Sequence, residues 1–250
     1  MTKRTAMSSA AVIAILTFAN LTHAQLGFRR QPGAVYDVDS EGKKSGAAPR
    51  RSLAGTWEFA NGGAEGIQAD GAKAMPSDGK PEHELPFTPE GRAAFDANKP
   101  TYGFTAVPSA LTNDPMPGCD PQGFPRIVLH NAHTEQFLQT STQVVVLYQF
   151  NKKWRVIWTD GRALPKDPEL PGWAIKDAPP PEPRWWGYSV GRWVDDYTFV
   201  AESNGFDDRS WLDNAGRPHS TVMRVVETYR RIDADHLEKT ITIDDPRFYT

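Results

Sequence analysis

The sequence has little cysteine, no long apolar run after its first residues and no excess of basic charge. Its single cysteine, Cys119, excludes an intramolecular disulfide, so side-chain burial must stabilise the fold. With 28 basic and 31 acidic residues, the chain is mildly acidic, which argues against nucleic acid or an anionic membrane as partner. Beyond residue 24, no segment reaches the roughly 18 apolar residues of a membrane helix, so we expect no membrane insertion of the mature chain.

The first 24 residues have the pattern of a secretory signal peptide. Two basic residues precede an apolar core at 11–18, and Thr22 and Ala24 place small residues at the −3 and −1 positions of a cleavage site. The pattern predicts export, and therefore a periplasmic or secreted protein. Residues 25–52, rich in glycine, serine and charge, are predicted to form a flexible linker.

The remainder, 53–250, is predicted to form a single domain. Within it, 60–125 contains recurrent glycine and proline and is expected to be irregular. The segment PEGRAAFDAN (89–98) predicts a short helix, with Thr88 as its N-cap and Pro89 at its first position.

From residue 126 onward, short runs rich in β-branched and aromatic residues predict an all-β fold. They recur about every ten residues without intervening helices, except around 163–184, which indicates an antiparallel meander. Such a meander removes its exposed edges by closing into a barrel, here of the calycin or lipocalin kind; the alternative is a β-sandwich. Neither face of 222–231 is apolar, as expected for a barrel with polar groups inside. The predicted strands are RIVLH (126–130), HTEQFLQT (133–140), TQVVVLYQF (142–150), KKWRVIWT (152–159), WWGYSVGRW (185–193), YTFVAES (197–203), TVMRVVETYRRI (221–232) and HLEKTITI (236–243).

The segment LAGTWEF (53–59) carries a Gly-x-Trp pattern that resembles the first strand of lipocalins and the wider calycin barrels. Gly55 and Trp57 are the matching residues. The resemblance implies a barrel whose base is closed by Trp57 against an arginine of a late strand, for which Arg224 and Arg230 are the candidates.

The region 53–250 also resembles a family of exported bacterial proteins of uncharacterised function. The resemblance brings no activity or cofactor with it. Two positions depart from the family pattern: Ala163-Leu164 and Tyr188 stand where histidines are expected, which implies lost or altered chemistry if those histidines act in the family. The matching motifs are Asn113-Asp114-Pro115, Cys119 to Arg126, Asp160-Gly161-Arg162, Gly187 to Trp193, GFDDRSWLDNAGRPHS (205–220), Glu227 to Arg231 and Asp244 to Thr250.

The stretch 205–220 combines several chemically distinct side chains in one loop after a strand. An aspartate that orients a histidine and stabilises its cation is a general acid–base pair, so Asp207, Asp213 and His219 are the candidate catalytic residues. The alternative is structural: the aspartates cap turns and His219 bonds a backbone carbonyl.

Aromatic side chains in or beside the strands, with Arg155 and two further arginines nearby, predict a cavity for an apolar or aromatic molecule with an acidic group. The alternative is that these aromatics only fill the barrel. The candidate ligand-binding residues are Tyr148, Trp158, Arg162, Tyr188, Arg192, Trp193 and Trp211.

Two other kinds of site have weaker support in the sequence. A metal site of His130, His133 and His219 needs a turn between the first two, because residues three apart in a strand point to opposite faces. The G-x-S-x-G match around Ser189 lacks the strand–turn–helix context of a nucleophile, so Ser189 is predicted to lie within a strand. Cys119, in a Pro/Gly loop, has no nearby histidine.

Together these patterns predict an exported protein that binds a small, largely apolar or aromatic molecule in a barrel pocket, without metal or cofactor. The alternative is a metal-independent acid–base enzyme, a hydrolase, lyase or isomerase, that uses the Asp–His pair. The sequence leaves the ligand and the oligomeric state open.

Overall fold

The β-branched and aromatic runs form the eight strands of one sheet in the computed structural model. The structure describes residues 46–59, 79–129, 134–165 and 184–250; the predicted signal peptide and residues 25–45 of the predicted linker lie outside these ranges. The strands follow one another across the sheet in chain order. They are β1 (Gly55–Trp57), β2 (Glu135–Gln139), β3 (Gln143–Tyr148), β4 (Lys153–Trp158), β5 (Tyr188–Trp193), β6 (Thr198–Asn204), β7 (Arg224–Arg231) and β8 (Leu237–Asp244).

The sheet is curled into a half-barrel, which confirms the prediction of an all-β, barrel-like fold. It is one sheet, so the sandwich alternative, which needs two, is not what forms. Neighbouring strands are antiparallel except β4 and β5, which are parallel through the pair Trp158 and Val190. The predicted antiparallel meander is confirmed except at this one pair, which lies where the sequence predicted the long interruption at 163–184.

Alternation along the strands divides the side chains between a concave and a convex face. In β3, Val144, Val146 and Tyr148 are buried on the concave face, and in β7 Val225 and Tyr229 are buried there. The convex side chains of β7 are more exposed. Such alternation is typical of a sheet that covers a core with one face. The concave face therefore positions the strand side chains of the interior.

Two α-helices accompany the sheet among the described residues: α1 (Pro89–Ala97) and α2 (Arg126–Leu129). Helix α1 is the predicted one, and the Thr88 side chain accepts a hydrogen bond from the Gly91 N–H, as expected of an N-cap. Short 3₁₀ turns occur at Pro81–His83, Ser109–Leu111, Met116–Gly118 and Phe150–Lys152.

Helix α2 occupies a segment predicted to be the first strand of the meander. Its Arg126 is fully buried and forms two hydrogen bonds to Asp114 and two to Asn214, while Ile127 and Val128 enter the core. These contacts outweigh the strand preference of the β-branched pair, which is a weak local tendency. Residues 122–129, the covering segment, therefore contribute to the core that fills the concave face.

Trp57 packs against the core beside an arginine, but this arginine is neither of the two that the calycin resemblance implied. The Arg231 guanidinium lies 4.4 Å from the Trp57 ring centroid, whereas Arg224 and Arg230 are exposed. The predicted partners are wrong because Arg231 alternates with them and faces inward, where it is 5% exposed.

Residues 46–52, predicted to belong to the linker, contact turns of the sheet. The Arg51 N–H donates to the Asp196 carbonyl at 2.6 Å, and the Ala234 N–H donates to the Gly46 carbonyl at 2.9 Å. Among the described residues, no helix is long and apolar enough to span a membrane.

Candidate functional site

The concave face carries a buried set of polar side chains to which each strand from β2 to β8 contributes. All but Lys239 are at most 4% exposed, and the Lys239 side chain is 11% exposed. We call this set the interior polar cluster. Its members are Glu135, Tyr148, Arg155, Ser189, Ser203, Glu227, Tyr229 and Lys239.

Arg155 lies at the centre of the interior polar cluster. Its Nε donates to Ser189 Oγ at 3.1 Å, and its Nη2 donates to Ser203 Oγ at 3.1 Å and to the Glu227 carboxylate. One guanidinium thus connects β4 with β5, β6 and β7. Burial alone would lower the pKa of Arg155, but the attraction of Glu227 outweighs it and raises the pKa, so the group stays charged.

The Glu227 carboxylate is satisfied on both oxygens. Oε2 accepts from Arg155, and Oε1 accepts from the Tyr229 hydroxyl at 2.6 Å and lies 3.6 Å from Lys239 Nζ. Although burial would raise the pKa of Glu227, Arg155, Lys239 and the Tyr229 hydrogen bond lower it, so the carboxylate is ionised. Lys239 also donates to both oxygens of Glu135, at 3.0 and 3.2 Å.

Two polar atoms of the interior polar cluster have no hydrogen-bond partner among the described residues: the Tyr148 hydroxyl and Arg155 Nη1. Arg155 is opposite Val146 and Lys153 is opposite Tyr148, so Tyr148 and Arg155 are diagonal neighbours on one face. Burial, together with the charges of Glu135 and Glu227, raises the pKa of Tyr148 well above its ordinary value, so the hydroxyl keeps its proton; Arg155 opposes this only in part, through its charge and its approach to the hydroxyl. Two donors that can still bond are therefore buried side by side.

Aromatic rings surround these two donors. The Arg155 guanidinium lies 3.9 Å from the ring centroid of Phe124, which belongs to the covering segment. Tyr148 stacks on Trp186, with centroids 5.7 Å apart and ring planes 15° apart. Trp186 is half-buried, so the ring that stacks on Tyr148 is partly exposed to solvent.

No protein-family model, curated protein or solved structure matches this chain. The geometry of the described residues must therefore carry the functional argument. The motif resemblance of 53–250 stays an expectation from sequence.

The loop 205–220 brings His219 to a serine. His219 is fully buried; its Nε2 lies 2.9 Å from Ser210 Oγ and its Nδ1 lies 3.4 Å from the Ser220 carbonyl oxygen. Phe206 meets the imidazole edge-on, with centroids 6.3 Å apart. Burial lowers the pKa of His219 more than the Ser220 carbonyl and the aspartates Asp245, Asp208 and Asp207 raise it, so the ring is neutral near pH 7.

The two candidate catalytic carboxylates have arginine partners of their own. Asp207 accepts two hydrogen bonds from the Arg209 side chain, both at 2.9 Å. Asp213 is fully buried; it accepts from Arg217 Nη1 at 2.7 Å and from the Ala215 backbone N–H at 2.9 Å. Within the described residues, the hydrogen bonds of His219 go to Ser210 and Ser220, so the predicted Asp–His pair is not assembled.

The candidate ligand-binding residues are distributed over both faces of the sheet. Tyr148 and Trp193 lie on the concave face, where Trp193 packs edge-on against Phe199 at 5.3 Å between centroids. Trp211 is buried in the 205–220 loop, with the Arg126 guanidinium 5.3 Å from its ring centroid.

On the convex face, Arg162 lies 3.9 Å from the Trp158 ring centroid and donates to the Tyr188 hydroxyl at 3.0 Å. Arg192, also convex, pairs with Glu202 at 2.6 Å. Four of the candidates therefore do not line the interior: Trp158, Arg162, Tyr188 and Arg192. Neighbouring residues of a strand point to opposite faces, so the strand residues among these four are convex where their neighbours, such as Ser189, are concave.

No group of three or more histidine, cysteine, aspartate or glutamate residues within the described ranges is arranged to hold a metal ion. His130 and His133 of the weighed metal site lie outside those ranges. Ser189 lies within β5, as predicted, and bonds Arg155 and Ser203.

Sequence reasoning named Tyr148 and Arg155 as possible pocket residues and Ser189 as a strand residue, but it gave the other members of the interior polar cluster no place in a pocket. One signal for Glu227 and Tyr229 was present in β7, where they occupy alternate positions of a face that also carries apolar side chains.

Proposed function

We propose that this protein binds a small, largely apolar or aromatic molecule on the concave face of its half-barrel. In this proposal Tyr148 and Arg155 donate hydrogen bonds to a polar group of the ligand. The observation that carries it is the pair of adjacent, buried donors without a partner among the described residues. Buried polar groups are nearly always hydrogen-bonded, because leaving one unsatisfied costs about 1–3 kcal/mol.

The surroundings of the donors support an apolar ligand body. Phe124 lies against Arg155 and Trp186 against Tyr148, and Trp186 is partly exposed to solvent. Ligand sites commonly combine such apolar walls with a few polar groups that orient the ligand. The amino-terminal pattern of 1–24 supports placing this function in the periplasm or outside the cell.

The acid–base enzyme has less support than binding. A general acid or base must reach the proton that it transfers. His219 is fully buried, with Ser210 and Ser220 at its two nitrogens, and Asp207 and Asp213 are engaged by arginines. These contacts are what a structural role of the loop requires.

Native mass spectrometry of the exported chain tests the proposal. We expect the wild type to retain, or to take up from an added aromatic probe, one organic molecule, and Tyr148→Phe to retain or take up several-fold less of it, because one of the two donors is removed. Tyr197→Phe is the matched control, since Tyr197 is 42% exposed and its hydroxyl lies outside the interior polar cluster. A wild-type chain that binds no organic molecule, or a Tyr148→Phe chain that binds as well as the control, contradicts the proposal.

A further inference from the structure

The charges of the interior polar cluster are already balanced. Two cations, Arg155 and Lys239, face two carboxylates, Glu135 and Glu227. Each of these four side chains is at most 11% exposed. Inside a protein an uncompensated charge is far more costly than in water, so the charge of an incoming ligand decides whether it can bind.

This balance discriminates between ligand classes. A carboxylate or phosphate beside Arg155 would leave the buried cluster with a net negative charge, since Glu227 already neutralises that guanidinium. A cation would add an uncompensated positive charge beside the Arg155 guanidinium, which cannot accept a hydrogen bond from it. An uncharged molecule keeps the balance.

The free atoms define the polar group further. Both are donors, because the Tyr148 hydroxyl keeps its proton and a guanidinium carries N–H groups only. A carbonyl oxygen has two lone pairs and can accept from both donors at once. A ligand hydroxyl would also bring a donor, and the acceptor left for it is the Tyr148 oxygen, since both oxygens of Glu227 are taken by Tyr229 and Arg155. A hydroxyl bonded in that way accepts from Arg155 alone, whereas a carbonyl oxygen accepts from both donors.

We infer that the site selects an uncharged molecule in which a carbonyl group is attached to an aromatic or apolar body, such as a ketone, ester or amide. The carbonyl oxygen accepts from Tyr148 and Arg155, and the body lies against Phe124 and Trp186. This inference rests on the proposed function and replaces the acidic group that the sequence suggested for the ligand with a neutral acceptor.

Three probes of similar shape test the inference by isothermal titration calorimetry: acetophenone, benzoate and ethylbenzene. At neutral pH we expect acetophenone to bind wild type about tenfold or more tightly than either of the others, because it alone satisfies both donors without adding charge. In Tyr148→Phe its affinity falls roughly 3- to 10-fold while that of ethylbenzene is unchanged. Tyr197→Phe should behave as wild type.

The outcomes separate the two proposals. If benzoate binds most tightly, or if ketone and hydrocarbon bind equally, the carbonyl inference is overturned while binding of an apolar molecule stands. If acetophenone is preferred but Tyr148→Phe leaves that preference intact, the assignment to this site is overturned. If none of the three probes binds wild type up to its solubility limit, both proposals fail.

Discussion

The two tyrosines of the interior polar cluster differ in whether the hydroxyl is hydrogen-bonded, so removing the hydroxyl should lower the stability of the protein at Tyr229 but not at Tyr148. The Tyr229 hydroxyl donates to Glu227 at 2.6 Å, whereas the Tyr148 hydroxyl has no partner among the described residues. Both side chains are buried, so Tyr229→Phe and Tyr148→Phe remove the same atom from similar surroundings.

The magnitude follows from what each oxygen does. A hydrogen bond to a buried carboxylate is worth about 1.5–3 kcal/mol, so Tyr229→Phe should lower the free energy of unfolding by that amount. The ring itself stays in place against Phe137, 5.5 Å away between centroids, so no cavity adds to the cost. Tyr148→Phe removes an unpaired buried polar atom, and we expect unchanged or higher stability of the ligand-free protein.

Urea unfolding followed by circular dichroism measures both variants against wild type. For a domain of this size the Tyr229→Phe loss corresponds to a decrease in Tm of about 3–12 °C. Equal slopes of the free energy against urea are the control that the unfolded states are comparable. If Tyr148→Phe loses as much stability as Tyr229→Phe, the Tyr148 hydroxyl is bonded within the protein and our reading of it as a free donor is refuted.

Two further predictions concern the fold around the site. Because burial lowers the pKa of His219 below its ordinary 6.5, the histidine is protonated first in the unfolded chain, so the free energy of unfolding falls as the pH drops below about 6.5. His219→Gln should remove up to about 1.4 kcal/mol per pH unit of this fall. Urea unfolding at a series of pH values tests this, and the same pH dependence of the free energy of unfolding in wild type and variant would contradict it. Gly191→Ala would place Cβ 2.3 Å from Phe199 Cζ and 2.8 Å from Ile157 Cγ2, so we expect the free energy of unfolding to fall by about 1–3 kcal/mol. Gly118→Ala is the control and should change it very little, because its Cβ would meet nothing within 4 Å. Equal thermal unfolding of these two glycine variants would show that the concave face can relax around a methyl group.

The fold was predictable where local patterns carry it. Alternation in 221–232 identified β7 and grouped Glu227 with Tyr229 on one face, together with apolar residues. It did not show which face is inward, since both carry charge, and for this reason Arg224 and Arg230 were chosen over Arg231 as partners of Trp57. Helix α2 was missed because its conformation is set by the distant Asp114 and Asn214, which bind Arg126.

The site was only partly predictable because its contacts are long-range. Arg155 and Glu227 are 72 positions apart, and nothing in either neighbourhood identifies the other. Trp158 and Tyr188 were predicted to line the interior with Tyr148, yet each is one position from an inward residue, and one position decides the face. Composition identified the right kinds of side chain, and strand register decided which of them are brought together.

The interior polar cluster also constrains how the sheet can assemble. Since each strand from β2 to β8 contributes at least one member, a shift of any strand by one residue would turn its member outward and leave another polar group buried without its partner. A partly formed sheet has the same defect, because Arg155 needs groups from β5, β6 and β7. Incomplete or misaligned structures are thus penalised electrostatically, which favours all-or-none folding of these strands in one register.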